Sequence, residues 1–390
     1  MKYIKYFLLL FIWSCSSRYM NIGWELFYNK NFEGSKNYFS KTIKNDSSNY
    51  DAIKGLGLSY LMLNDYEHAE FYLKKAFDSR SNDLESIFSL ALYYSIKEEH
   101  QKAINLFEKF ISLTDKEDLK IVANQLLLHQ KKLFYNKELK DIIEIENKLT
   151  ELPLEKNSIA VLPFKNYGEQ GDYNVLEKGL ADQTITYLGY IKNLKVLERI
   201  KIDELYKEIK LSQSEIIDKS TAIRAGKLLK AEKLLTGNFK IENDNLNLKM
   251  FFVNVKNGKI SDEIVKDGKL DNFFDIHKES LLETLDKMNI SINDETRKKI
   301  ITYRTESILE FISYLKKKYL EESESIIISE WMINRIDNIK NTPIENIINL
   351  SQSSSLQNIK STILPMEIPN LKTPPTPPRW FILVQIQIHK

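Results

Sequence analysis

The chain of 390 residues has little cysteine and histidine, two of the side chains that bind zinc in proteins. Its single cysteine, Cys15, excludes an internal disulfide framework and cysteine-rich zinc sites. The five histidines are too scattered along the sequence to form a recognisable metal motif. An excess of one charge is also missing, because 54 acidic side chains face 56 basic ones, two of which are Lys2 and Lys5 at the amino terminus. We therefore expect no electrostatic capture of nucleic acid.

Motifs of enzyme chemistry are missing as well. Gly55-Leu-Gly57 is followed by Tyr60 where a nucleotide-binding loop has a third glycine. No Ser/His/Asp arrangement can be proposed from the spacing of these residue types. The sequence therefore predicts a binding or scaffolding protein without a catalytic residue, a bound metal or a cofactor.

The amino terminus has the pattern of a targeting signal. Lys2 and Lys5 flank the start of an apolar run, Tyr6 to Trp13, that is too short to cross a bilayer core of roughly 30 Å. Ile12-Trp-Ser-Cys15 resembles the lipobox of bacterial lipoproteins, in which the cysteine is lipid-modified and becomes the first residue. The resemblance implies lipidation of Cys15 and a membrane anchor. An ordinary signal peptide whose cysteine falls there by chance is the alternative.

Similar residues recur every 34 positions after this signal. Each copy has a small residue, a large one three positions later, a second small one at twelve and a large one at sixteen. The three sets are Gly23, Leu26, Ser35 and Phe39; Gly57, Tyr60, Ala69 and Leu73; Ala91, Tyr94, Ala103 and Phe107. This pattern is similar to the tetratricopeptide repeat, in which small residues allow paired helices to approach closely. The resemblance implies a short helical solenoid.

Tetratricopeptide repeats usually bind a protein or peptide on the first helices of their helix pairs. The outward positions of those helices are apolar and aromatic, which suits an amphipathic helix or an extended segment. The predicted partner-binding groove consists of Trp24, Phe27, Tyr28, Leu58, Leu61, Met62, Phe88 and Leu92. The alternative is that this surface packs internally, or is covered by the next helices or by the chain's own tail. Helical candidates for a cap lie between Asp118 and Leu149.

The pattern changes from helical to α/β after Pro153. The predicted order is β-α-β-α-α-β-β-β-α, with helices packed on a mixed sheet. Asn243-Asp244-Asn245 and Asn257-Gly258 are turn signals between the last three strands. The apolar register changes within Met250-Phe-Phe252, which predicts either a bulge or a strand that is buried on both faces. The predicted strands are 158–164, 194–197, 234–242, 246–255 and 259–265, and the later helices are 202–209, 221–229 and 271–288.

Six blocks of this region resemble a known family. They are Ser158-Ile-Ala-Val-Leu-Pro-Phe164, Glu177-Lys-Gly-Leu-Ala-Asp182, Val196-Leu-Glu-Arg199, Asp203-Glu-Leu-Tyr-Lys-Glu-Ile-Lys-Leu211, Ala225-Gly-Lys-Leu-Leu-Lys-Ala231 and Leu234-Leu-Thr-Gly-Asn-Phe239. Their order and spacing resemble the CsgG-like family of curli-secretion and flagellar lipoproteins, which is similar in fold to the amino-terminal domain of TolB. The resemblance covers about residues 157–290 and implies a function in the cell envelope.

The curli-secretion member of that family is an oligomeric export channel of the outer membrane. A pore subunit must contribute amphipathic strands of about 9 to 11 residues to cross the bilayer. The two hairpins of this sequence are tight, and no long alternating hairpin is inserted between them. The sequence thus favours a CsgG-like domain used for assembly, with an export channel as the alternative.

The carboxyl end looks like a tail. A helix is expected at Thr305–Leu315, and six of the nine prolines lie between Pro365 and Pro378. Pro374-Pro-Thr-Pro-Pro378 is typical of an extended polyproline segment, and Trp380 to Ile388 is a strong β run.

These observations combine into one prediction, a helical solenoid followed by a CsgG-like α/β domain. The protein is expected to be a lipid-anchored scaffold or assembly factor of the cell envelope, at the outer membrane and facing the periplasm. Its expected partners are a protein or peptide in the groove, the membrane through the lipid, and further copies of the chain through the CsgG-like domain. The expected divisions are a signal peptide (1–14), three repeats (15–117), capping helices (118–152), the α/β domain (153–292), a helical segment (293–335) and a proline-rich tail (336–390).

Overall fold

The computed structural model describes residues 18–145, 153–208, 219–302 and 307–337. Cys15 and the predicted tail from residue 338 lie outside these ranges. The chain divides into two compact units: one contains Met1–Gln130 together with Ser325–Lys390, and the other is Lys131–Glu324. In the described part of the chain, no helix is both long enough and apolar enough to cross a membrane.

Consecutive helices form the first unit, and each of α2 to α5 packs on the next along the chain. The bounds are α1 (18–28), α2 (Phe32–Asn45), α3 (Tyr50–Met62), α4 (Tyr66–Ser79), α5 (Leu84–Ile96), α6 (His100–Leu113) and the start of α7 (Glu117–Glu144). This is the helical repeat region that the 34-residue period predicts.

The backbone repeats with the same period. Lys30, Asn64 and Glu98, in the turns inside the three helix pairs, have positive φ angles of 60°, 58° and 57°. Positive φ is uncommon for residues other than glycine, so its return at one position of each repeat reflects a shared turn. Asn31 and Asp65 follow two of these turns and cap α2 and α4, accepting hydrogen bonds from the backbone N–H groups of Gly34 and His68.

The periodic small and large residues form the centre of the repeat core. Phe39 is fully buried, and a Cβ atom on Gly23 or Gly55 would lie 2.7 Å or 2.4 Å from its ring. Leu73 and Phe107 are also fully buried, at the equivalent positions of the next two repeats. The small residues are therefore required where the helices approach most closely, as the sequence predicts.

The predicted capping segment forms one continuous helix. α7 has 28 residues and contains neither glycine nor proline, so nothing in its sequence breaks it. Leu119, Ala123 and Leu126 belong to the repeat core, whereas Leu139 and Ile142 belong to a core of the second unit. The boundary between the units therefore falls inside α7, at Lys131, and not near residue 153 as expected.

The second unit is a mixed sheet with helices, as predicted. Strand order is β3-β1-β4-β5-β6, with β2 beside β4 and β7 beside β5; β1 runs parallel to β3 and β4, and the β4–β5 pair is antiparallel. The bounds are β1 (Glu155–Val161), β2 (Lys165–Asn166), α8 (Val175–Leu188), β3 (Lys195–Val196), α9 (Arg199–Glu208), α10 (Lys219–Leu228), β4 (Ala231–Glu242), β5 (Asn245–Asn254), β6 (Lys259–Ile260), β7 (Ile264–Lys269), α11 (Phe273–Lys287), α12 (Asp294–Thr302) and α13 (Ile308–Asp337).

Tight turns join the antiparallel strands. Asn243 and Asp244 both have positive φ, as a two-residue type I′ turn requires, and the β4–β5 register continues without a shift. The bulge predicted as one alternative near Met250 is therefore not formed. Met250 and Phe251 are both buried although they point to opposite faces, which confirms the other alternative. The single strand predicted at 259–265 is instead two strands, β6 and β7.

Alternating residues of β1 enter two separate apolar cores. Ile159 and Val161 pack with α8 and α11, whereas Ala160 and Leu162 pack with α9, α10 and the end of α7. The first core also takes side chains from α12 and the start of α13, namely Ile300, Ile308, Phe311, Ile312 and Leu315. Most of the segment 293–335, expected as a separate helical stretch, is therefore part of the α/β unit.

Candidate functional site

The predicted groove residues lie largely inside the repeat unit. Tyr28 and Leu92 are half-buried and pack on the repeat core. The other six are buried members of that core: Trp24, Phe27, Leu58, Leu61, Met62 and Phe88. Side chains that line an open groove would be exposed, and these are not. Partner binding through them stays a prediction.

Aromatic contacts explain the burial of two of these residues. The Trp24 ring lies edge-on to Phe39, at 5.0 Å between centroids, and stacks on Tyr28 at 6.0 Å. Phe88 contacts Phe107 and Phe110 at 5.7 Å and 5.3 Å, so it fills the space between α5 and α6. The position of Phe88 is therefore one of internal packing, and its part in partner binding stays a prediction.

Polar side chains link consecutive repeats. Lys54, with only 4% of its surface exposed, pairs with Glu85 of the next repeat. The hydroxyl groups of Tyr50 and Ser86 lie 2.5 Å apart and form a second bond between α3 and α5. Buried groups of this kind must find partners inside the protein, because an unpaired one is costly. They set the register between repeats and bring no reactive groups together.

An ionic cluster lies in the second unit around Arg199. Its guanidinium contacts Asp182 at 2.8 Å, and Asp203 and Glu322 each at 2.5 Å. Asp182 also accepts bonds from Lys318 at 2.6 Å and from the Tyr319 hydroxyl at 3.1 Å. The cluster therefore joins α8, α9 and α13.

Burial and charge oppose each other at this cluster. Burial disfavours the charged form of Arg199, but the three carboxylates outweigh it and hold its pKa above the ordinary value. Burial raises the pKa of the Tyr319 hydroxyl, and the negative charge of Asp182 adds to that effect. Arg199 thus stays charged and Tyr319 stays neutral, as a structural clamp requires.

The sequence indicated some members of this cluster, but residue spacing alone could not tell which acids pair with Arg199. Asp182 ends the second of the six family blocks and Arg199 ends the third. Glu198, the acid next to Arg199 in the sequence, is not one of its partners and pairs with Lys131 at 2.9 Å. The choice among nearby acids depends on helix packing, which neighbouring sequence does not encode.

A second ionic cluster joins the end of α7 to the rest of the α/β unit. Glu138 contacts the ammonium groups of Lys201 and Lys230 at 3.0 Å and 3.3 Å. Burial raises the pKa of Glu138, but the two lysines outweigh it, and the pKa lies below its ordinary value. Lys201 and Lys230 thus share one structural partner.

His277 of α11 is fully buried. Its Nε2 lies 2.8 Å from the Thr184 hydroxyl, which itself donates to the carbonyl of Leu180. Thr184 therefore accepts from Nε2–H, and the Nδ1 atom faces the apolar core. Burial, and to a smaller degree the charge of Lys278, lowers the pKa of His277 to about 3. The imidazole is neutral at physiological pH.

No assembly of reactive groups is found in the described ranges. No three His, Cys, Asp or Glu side chains there come close enough together to hold a metal ion. A shallow depression runs along α4, around the exposed Phe71. All seven residues that line it belong to that one helix, so it does not bring groups from different elements together.

Two family models match this chain. Residues 139–240 match the curli production assembly/transport component CsgG, and residues 55–83 match the tetratricopeptide repeat. No curated protein matches the chain.

Some solved structures are also similar, at low TM-scores. Lipoprotein GNA1162 from Neisseria meningitidis is 16% identical, with 29% of this chain and 80% of that chain covered and a TM-score of 0.26. The LpoB C-terminal domains from Salmonella enterica and Escherichia coli are each 13% identical, with 35% of this chain and 98% of those chains covered and TM-scores of 0.24 and 0.25. On the family models and the fold, the chain combines tetratricopeptide repeats with a CsgG-like α/β domain.

Proposed function

We propose that this protein is a lipid-anchored scaffold or assembly factor of the bacterial cell envelope. The observation that carries the proposal is the presence of two matched modules on one chain, a tetratricopeptide repeat and a CsgG-like domain, neither of which is an enzyme family. Cys15, in the lipobox pattern ahead of them, supplies the membrane anchor. In this mechanism the lipid holds the protein at the outer membrane, the repeats bind a protein or peptide, and the CsgG-like domain docks on an envelope complex.

The described side chains support a structural task for both units. Charged groups that are buried or half-buried, such as Lys54, Arg199 and Glu138, are each paired with an opposite charge. Such pairs hold helices in register. Residues of a catalytic site would instead converge on a cavity.

The anchor is tested by changing Cys15 in the full-length protein. We expect Cys15→Ala to abolish incorporation of an alkyne-labelled fatty acid and to release the protein from the membrane fraction. The matched control, Ser17→Ala, leaves both unchanged because it lies past the modified residue. Ser16→Asp is expected to move the protein from the outer to the inner membrane, by resemblance to known lipoprotein sorting signals. Loss of the label without release from the membrane would contradict the anchor.

An export channel is the second candidate, because the CsgG family that residues 139–240 match is an assembly and transport component of curli production. The β4–β5 hairpin argues against it. Both strands are paired within the sheet, and Phe239, Ile241, Leu246 and Leu248 of this hairpin are buried in the core. These residues therefore present no lipid-facing surface.

Mass and shape distinguish the two candidates. The lipid-modified protein is extracted in detergent, and its mass is measured by light scattering on a sizing column before negative-stain imaging. A monomer or small oligomer without a central opening is the expected result for a scaffold. A closed ring of many subunits around a channel would replace the scaffold with the export pore.

A further inference from the structure

Strand β7 of the α/β unit lies at an edge of the sheet. It pairs with β5 in an antiparallel register that matches Leu246 with Gly268 and Met250 with Ile264. Within the ranges that the structure describes, no strand pairs with the other side of β7. In an antiparallel pair, every second residue directs its backbone N–H and C=O groups to the neighbouring strand, and the residues between direct theirs away.

The register decides which residues of β7 direct these groups outward. Glu242 and Asn245 flank the two-residue turn, so they exchange backbone hydrogen bonds within the β4–β5 hairpin. The even-numbered residues of β5 therefore bond to β7, and the bond from the Leu270 N–H to the Asp244 carbonyl continues that pattern. The outward-directed residues of β7 are Val265, Asp267 and Lys269. A row of free backbone groups of this kind can pair with an added strand.

The usual protection of an edge strand is weak in β7. Proteins protect such edges with prolines, bulges or charges that point inward. β7 has no proline, and its register with β5 has no shift. Lys266 lies on the face that α11 covers, since Gly268 two residues later lies against Ile276 of α11. Its charge is neutralised by Glu283 of α11 at 3.1 Å, and Val265 on the opposite face is 46% exposed.

The surface beside this edge is acidic, although the whole chain is nearly neutral. α11 packs on β5 and β7, and its exposed residues Asp275, Glu279, Glu283 and Asp286 follow at intervals of four, four and three, so they share one face. Ser261–Lys287 contains eight acidic and four basic residues. This charge attracts a basic segment, whereas a second copy of the chain would bring two acidic surfaces together.

We propose that the outer edge of β7 is a docking site for an extended, basic segment of a partner protein. The segment adds to the sheet as a strand, and its backbone bonds to Val265, Asp267 and Lys269. Lysine or arginine side chains at every second position reach the acidic face of α11. The inference rests on the proposed scaffold function and names the surface through which the CsgG-like domain docks.

The test uses the full-length, lipid-modified protein in detergent and two fluorescent peptides. Each has about nine residues, enough to pair with the six of β7. The first peptide alternates lysine with valine, and the second alternates glutamate with valine. Fluorescence anisotropy is expected to show the lysine peptide binding at least tenfold more tightly. Hydrogen exchange by mass spectrometry is expected to show that it protects the amides of β7.

Backbone methylation separates strand addition from simple charge attraction. One version of the lysine peptide carries N-methyl groups at its lysines, and the other carries them at its valines. Only one of these sets faces β7 in an added strand, because successive N–H groups point to opposite sides. We expect one version to lose at least tenfold in affinity and the other to bind like the unmodified peptide.

A charge-reversal variant tests the acidic face. Glu279→Lys with Glu283→Lys is expected to weaken binding of the lysine peptide at least tenfold. The matched control, Glu67→Lys with Asp78→Lys, makes the same change of charge at exposed positions of α4 and should leave the affinity unchanged. Circular dichroism confirms that both variants are folded. The comparison of the methylated peptides uses the unmodified protein and does not depend on either variant.

Four results would overturn the proposal. The lysine and glutamate peptides bind equally, the two methylated peptides bind equally, or the lysine peptide protects residues outside β7 alone. The fourth is protection of β7 that rises with protein concentration in the absence of peptide, which assigns the edge to a second copy.

Failure of this proposal can be told apart from failure of the proposed function. If the lysine peptide does not bind while Cys15-dependent membrane attachment persists, the docking site is wrong and the scaffold stands. If attachment fails while the peptide protects β7, the docking site stands and the membrane-anchored scaffold is wrong.

Discussion

The repeat unit and the α/β unit achieve the same burial by different routes. In the repeats, α2 to α6 pack on successive neighbours, and one large residue per repeat, such as Phe39 or Leu73, fills each gap. In the α/β unit, the central strand pair joins β1 to β4, about 75 residues later, and α13 completes the core after a further 70. Local packing leaves a periodic trace in the sequence, whereas long-range packing leaves none.

The two units also differ in how they hold polar groups. The repeats mainly use helix caps and hydroxyl pairs, such as Ser35 with Ser59 at 3.0 Å. The α/β unit instead concentrates charge around Arg199 and Glu138. Charge clusters bring distant segments together, because a buried charge requires an opposite one nearby. The loss of stability caused by a mutation in either unit should therefore show whether that unit depends more on caps and hydroxyl pairs or on charge clusters.

The largest effect is expected at Gly237, in the centre of β4. A Cβ atom there would lie 2.1 Å from the carbonyl oxygen of Lys249 and 2.6 Å from the Phe164 ring, and a backbone atom of the paired strand cannot move aside. We expect Gly237→Ala to destabilise the α/β unit by about 3 kcal/mol or more, with the repeat unit unchanged. Hydrogen exchange by mass spectrometry resolves the two units. Gly171→Ala is the control, since its nearest neighbour is 3.8 Å away.

Removing Arg199, the centre of the ionic cluster, is expected to reduce stability slightly less than Gly237→Ala does. Arg199→Ala leaves Asp182 and Asp203 facing each other in a largely buried site, which we expect to cost about 2 to 3 kcal/mol, discounted for the partial exposure of Arg199. Urea unfolding followed by circular dichroism measures this loss. Lys195→Ala, which removes the exposed pair with Glu155, should change stability by less than about 1 kcal/mol. Equal losses in the two variants would show that the cluster is not a clamp.

Acid is expected to lower the stability of the α/β unit through His277. His277 has a folded-state pKa of about 3 and an unfolded value of 6.5, so only the unfolded chain binds the proton between these values. This contribution to stability is complete above pH 6.5 and falls by about 1.4 kcal/mol per pH unit below it, or about 2 kcal/mol at pH 5.

A His277→Gln variant tests that dependence. Glutamine can still donate to Thr184 but does not titrate, so its α/β unit should lose less stability between pH 7 and pH 5 than the unmodified chain. Urea unfolding at a series of pH values gives both curves. Parallel curves for the two proteins would rule out His277 as the acid-sensitive group.

The smallest effect is expected in the repeat unit, at Lys54. Lys54→Met keeps the long apolar stem and leaves Glu85, whose side chain is 24% exposed, in contact with water. We expect a change of less than about 1 kcal/mol, because Glu85 is partly exposed and water can solvate its carboxylate once Lys54 is gone. Thermal unfolding measures it. A loss as large as that of Arg199→Ala would mean that the two units depend on charge equally.

The sequence predicted much of the fold and little of the arrangement inside it. The 34-residue period placed Gly57 and Leu73 correctly because each repeat contacts the next at the same positions. Asn243 and Asp244 predicted their turn because a type I′ turn needs positive φ, which these residues tolerate. The groove was predicted from the outward positions of the helices. Leu58 and Leu61 occupy such positions but are buried, and their burial depends on tertiary packing that a helical pattern does not contain.

Local chemistry thus determined the elements: the repeat period, the caps, the hairpin turns and the alternating strands can all be read from neighbouring residues. Only the tertiary structure decided three further points. α7 runs unbroken into the α/β unit, Arg199 selects Asp182 and Glu322 over Glu198, and α12 and α13 complete the sheet core. Each of these depends on which distant surfaces meet, and the free energy of such contacts depends on the whole packed core rather than on adjacent residues.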